Sequence, residues 1–140
     1  MKNIILISCV SKKKDFKTKA RNLYDSPLFK GALAYAEKLS PDSIYILSAL
    51  YGVVGLEESI EPYNKTLNSM GVKDKRAWAK QVISQLEKKG VDLKKDKVIF
   101  LAGNEYRKYL VDSIKNYEVP MEGLPIGKQL QFLKERLNNG

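Results

Sequence analysis

The chain has 140 residues, with 25 Lys and Arg against 16 Asp and Glu and a formal charge of +9. It has no His and one Cys, Cys9. That excludes His-based nucleophile systems, imidazole acid/base catalysis, His- or Cys-cluster metal sites, iron–sulfur centres and disulfide frameworks. A chain of this length buries about two-thirds of its unfolded surface, so one domain over residues 1–140 needs no metal or disulfide staple. One free thiol, no leader pattern and no long apolar run lead us to expect a cytoplasmic protein away from membranes, with no metal and no cofactor. The basic excess suits nucleotides, nucleic acid or other anions, or simply a solubilising lysine coat.

In chain order, residues 3–9 (NIILISC) form a short, nearly continuous apolar run, the pattern of a strand covered on both faces. Ser26-Pro27 supplies an N-cap hydroxyl and a first-turn proline. The apolar stripe Leu28, Phe29, Ala32, Leu33, Ala36 and Leu39 then predicts a helix. A second buried strand is expected at 43–49 (SIYILSA). Residues 51–73 are too long for an ordinary connection and read as a lid or pocket wall. A helix carrying Trp78, Val82, Ile83 and Leu86 stops at Gly90. A third strand is expected at 97–102 (KVIFLA), then a helical stripe through Tyr106, Tyr109, Leu110, Ser113 and Ile114. A weak fourth strand at 117–119 is cut off by Pro120, and Ile126, Leu130, Leu133 and Leu137 mark a closing helix. Such alternation predicts an α/β fold, a three-layer Rossmann-like sandwich on a mostly parallel sheet of about four strands.

Ligands of open α/β sheets bind beyond the carboxyl ends of the strands, so the residues after each strand carry the most information. These are Ser11, Lys12, Lys13, Lys14 and Asp15; Ser48 to Gly52; Gly103 to Arg107; and Gly123 to Lys128. Hydroxyls, small residues, lysines and tyrosines at one end suit an anionic ligand with a planar group. No dinucleotide or P-loop fingerprint is present. Cys9 reads as a small buried residue rather than a nucleophile, since no base of the usual kind exists to deprotonate it. The shared reading rests on one geometric expectation: the segments around Lys12, Tyr51, Gly103 and Gly127 line a common cavity.

The strings ISCxSKKK (7–14), ARNLYxSxLF (20–29), ILSALYGVV (46–54), IEPYNKTL (60–67), WA (78–79), LAGxxY (101–106) and GLPIGKQL (123–130) cover nearly the whole chain. On them the chain resembles an uncharacterised bacterial and phage family of unknown function. That family is similar in turn to the core domain of archaeosine synthase and, more remotely, to YaaA-like and uracil-DNA-glycosylase-like folds. The resemblance implies a Rossmann-like fold that handles nucleobases or nucleic acid. It carries over Cys9, Ser11, Lys12, Lys13, Tyr24, Ser26, Ser48, Tyr51, Gly52, Glu61, Pro62, Tyr63, Gly103, Tyr106, Gly127 and Lys128. The chain departs from these relatives in having Lys13-Lys14-Asp15 where the synthase core has K-P-Y, and in lacking their His.

Two functions remain open. In the first, the protein is an enzyme that cleaves an N-glycosidic bond or modifies a base in a nucleotide or nucleic acid. Lys12 or Lys13, desolvated beside like charges, would be base or nucleophile, and Asp15 or Glu61 the general acid/base. Tyr51 and Tyr63 would hold the base, while Gly127 and Lys128 would hold phosphate at a helix start. In the second, the same surface binds a nucleotide, nucleoside or nucleic acid without chemistry.

Overall fold

The computed structural model describes residues 1–138. Its strands are β1 (Asn3–Ser8), β2 (Thr18–Lys19), β3 (Ser43–Ser48), β4 (Gly52–Gly55), β5 (Ser59–Ile60), β6 (Lys97–Leu101) and β7 (Tyr117–Glu118). The helices are α1 (Ala20–Leu23), α2 (Pro27–Lys38), α3 (Val72–Lys88), α4 (Asn104–Arg107) and α5 (Ile126–Asn138). Short 3-10 turns occupy Leu67–Ser69 and Val111–Ser113.

A five-stranded sheet runs in the order β4-β3-β1-β6-β7. β3, β1, β6 and β7 are parallel, and β4 returns antiparallel along β3. β1 is the axis of the core: Ile4, Ile5, Leu6 and Ile7 are all buried, as a strand covered on both faces must be. α2 packs on β1 and on α5, and α3 packs on β4. The connection from β1 to β3 runs one way along the sheet and the connection back to β6 runs the other. Right-handed crossovers therefore put α2 and α3 on opposite faces, giving a three-layer α/β sandwich.

α2 starts where its sequence says it should. Ser26 Oγ accepts from the Phe29 N–H at 3.1 Å, Pro27 takes the first turn, and Phe29, Ala32, Leu33 and Ala36 are buried. Trp78, Val82 and Leu86 of α3 are buried as the stripe predicts.

Two expectations fail. The segment 51–73 is only partly a loop, because Gly52–Gly55 adds a fifth strand to the sheet and Ser59–Ile60 pairs with β2. The hairpin into β4 turns through Gly52 at φ +77°, a left-handed conformation that glycine adopts without steric cost. The stripe Tyr106–Ile114 is likewise not one helix. α4 ends at Arg107, yet Leu110 and Ile114 are still buried, through separate short turns. Burial in the hydrophobic core, rather than helical hydrogen bonding, satisfies that apolar pattern.

Candidate functional site

The strand order places a switch point between β1, whose chain leaves toward β3, and β6, whose chain leaves toward β7. Open α/β sheets form their crevice at such a point. A cavity of about 560 Å³ lies there, at the carboxyl ends of β1 and β6. This volume falls within the range of small-molecule sites. Its floor is apolar, with Ile7, Phe29, Ala32, Phe100 and Met121 among the contributors. The polar groups come from Ser8 and Cys9 at the end of β1, Asn68 in the 3-10 turn, Asn104 to Arg107 on α4, and Gln129 on α5.

Cys9 is buried, and its Sγ lies 3.1 Å from the Tyr106 hydroxyl. Tyr106 in turn stacks edge-on against Trp78 at 5.7 Å, and the Trp78 indole N–H donates to the Ser48 carbonyl at 2.9 Å. This links the cavity wall to the end of β3.

A buried hydroxyl network stands on that β3 side. Ser48 Oγ donates to the Tyr63 hydroxyl at 2.8 Å and accepts the backbone N–H groups of Leu50 and Tyr51. The Tyr63 hydroxyl also meets that of Tyr24 at 2.7 Å. Burial is the first cause that raises the phenol pKa of Tyr24, Tyr63 and Tyr106, so all three remain neutral hydrogen-bonding groups.

Lys13 belongs to this network. The segment 12–14 pairs with 23–25 through Lys14 N to Leu23 O and Asp25 N to Lys12 O, each 2.9 Å. The pairing holds the Lys13 ammonium 4.4 Å from the Tyr63 ring centre, a cation–π contact, with the Tyr24 ring at 5.8 Å. Partial burial lowers the Lys13 pKa, and nearby Cys9 opposes that shift.

The residues named from sequence fall into four groups. Cys9, Gly103 and Tyr106 line the cavity. Lys13, Tyr24, Ser48, Tyr51 and Tyr63 form the adjoining network, with Tyr51 edge-on to Tyr63 and its hydroxyl bonded to the Glu61 carbonyl. Ser11, Lys12, Asp15 and Glu61 are exposed outside the lining, and so are Gly127 and Lys128, although Ile126 and Gln129 on either side reach it. Ser26 serves as a helix cap and Gly52 as a turn. The common cavity therefore gathers the segments around Cys9, Gly103 and Ile126, and the Tyr51 segment joins it only through the hydroxyl network.

Sequence reasoning named Asn104 and Arg107 only within the segment after the third strand and gave neither a role. Asn68 falls in the segment 51–73 read as a pocket wall, but it was not singled out, and Gln129 had no signal because its position depends on a helix rotation. Among the described residues, no three Cys, Asp or Glu side chains cluster to ligate a metal ion, and no helix is long and apolar enough to cross a membrane.

No curated protein matches the chain. Residues 4–135, nearly the full length, match a family of unknown function (DUF6884), and the chain belongs to that family.

Proposed function

We propose that the protein is an enzyme that processes a nucleobase or nucleotide, by N-glycosidic cleavage or base modification, in the cavity between β1 and β6. The observation that carries this reading is the placement of Cys9 and Tyr106 in the cavity wall, with the Lys13 amine over the Tyr63 ring of the adjoining network. The apolar floor suits a planar base, and the amides of Asn68, Asn104 and Gln129 suit its polar edge. Lys13 provides the base that the missing His does not. Its lowered pKa makes the neutral amine more accessible, and taking the Cys9 proton would leave a thiolate beside an ammonium. The resemblance read from the sequence motifs implies the same substrate class. A free thiol in this role needs a reducing compartment, in keeping with a cytoplasmic protein.

A second reading, binding without chemistry, is favoured by one observation. Asp15 and Glu61 lie outside the cavity, and the carboxylate that does line it, Glu105, is held by Lys75 at 2.5 Å. The test is incubation of the wild type, Cys9→Ala and Lys13→Met with nucleosides, nucleotides and oligonucleotides, with product analysis by chromatography. Turnover by the wild type that falls about a hundredfold or more in both variants supports the enzyme. Saturable binding without any product supports the second reading. Turnover that survives both substitutions overturns the assigned roles.

A further inference from the structure

The cavity contains a cation that the fold leaves unanswered. Arg107 ends α4 and lines the cavity, and its side chain is half-buried. Its Nε is the one buried side-chain nitrogen or oxygen without a hydrogen-bond partner among the described residues. No ion pair of the described residues involves it. The nearest carboxylate in sequence, Glu105, also faces the cavity but is taken by Lys75. That bond, its first cause, holds the Glu105 pKa below the ordinary carboxylate range, so its charge is already matched. The cavity wall therefore carries one uncompensated guanidinium over an apolar floor.

A buried donor with no acceptor costs free energy, and a half-buried charge without a partner costs more. A ligand oxyanion would answer the unpaired charge. Guanidinium presents a planar fork of donors that matches phosphate and carboxylate oxygens. We propose that Arg107 is the anion-recognition residue of this cavity, and that the ligand carries a phosphate or carboxylate group against it. This rests on the nucleotide reading for the rest of the ligand. Within that reading it selects the phosphorylated nucleotide over the bare nucleoside or base.

The experiment compares thermal melting and calorimetric titration of the full chain with Arg107→Gln and Arg107→Lys. The probes are nucleosides, the matching nucleoside 5′-monophosphates, inorganic phosphate and succinate. In the wild type each monophosphate should bind about tenfold or more tightly than its nucleoside, and Arg107→Gln should erase that ratio. Arg107→Lys, which keeps the charge and loses the fork, should fall between and guards against a folding defect in the first variant. If nucleosides and nucleotides fail to bind but phosphate or succinate stabilises the wild type and not Arg107→Gln, the anion role stands and the nucleotide reading falls. Succinate alone would mark the ligand as a carboxylate, and phosphate alone as a phosphate ester. Equal affinity for nucleoside and monophosphate, stabilisation that persists in Arg107→Gln, or no response to any probe overturns the proposal.

Discussion

The two sides of the sheet's carboxyl end treat polar groups in opposite ways. On the β3 side, Ser48, Tyr24 and Tyr63 are joined in a closed set in which every hydroxyl has a partner. On the β6 side, Arg107 keeps a buried Nε with none. Satisfied networks rigidify a fold, whereas an orphaned donor in a cavity is a cost with no structural return. On the proposals above, the difference separates the scaffold from the ligand site, and Cys9 sits at the seam between them.

That contrast can be tested by stability. The largest loss is expected from Gly52→Ala on the β3 side. A Cβ there would stand 2.2 Å from Gln85 Oε1, at φ +77°. Gln85 would have to release the Val53 N–H that it accepts at 2.8 Å. Left-handed strain plus the broken bond should cost about 3 kcal/mol in chemical denaturation. Ser48→Ala comes next, at about 2 kcal/mol, because it strands the Leu50 and Tyr51 N–H groups and unties Tyr63. A loss near zero would show the network to be ornamental.

Asp96, at the opposite end of the sheet, is a control for a satisfied buried carboxylate. It accepts the Lys2 N–H at 2.9 Å and the Asp92 N–H at 2.8 Å, and these bonds, led by that from Lys2, hold its pKa below the usual range. A depressed folded-state pKa gives stability that is present above the unfolded value and lost as pH falls through the folded one. Asp96→Asn should therefore cost about 1 kcal/mol at neutral pH, and the gap to wild type should close below about pH 4 in an acid-unfolding series. A gap independent of pH would detach the effect from ionisation.

The smallest effect is expected on the other side. Arg107→Met keeps the aliphatic stem and removes the unpartnered charge, so stability should stay level or rise by about 0.5 kcal/mol. A loss of 2 kcal/mol or more would show that the guanidinium is structural and would collapse the contrast between the two sides.

Much of this architecture was legible from local pattern. Ser26-Pro27 announced α2, the runs ending at Cys9 and Ala102 announced buried strands, and Cys9 itself, with Gly103 and Tyr106 after the second run, lines the cavity wall. The misses share a cause. Gly52-Val53-Val54-Gly55 is too short and glycine-bounded to register as a strand until β3 supplies its hydrogen bonds. Tyr106 to Ile114 has helical spacing that burial in the core overrides. Lys12 and Lys13 are equivalent as text, and only the pairing of 12–14 with 23–25 turns one over the tyrosine rings and leaves the other in solvent.

The amino-acid sequence alone determined the class of the molecule: an α/β sandwich of mostly parallel strands, with no imidazole in it. Periodicity and composition are properties of short segments and survive without tertiary contacts. Which cation is buried, which hydroxyls close on each other, and which arginine is left without a partner were decided only by the folded packing. Those facts depend on distances between residues far apart in the chain, and no local pattern records them.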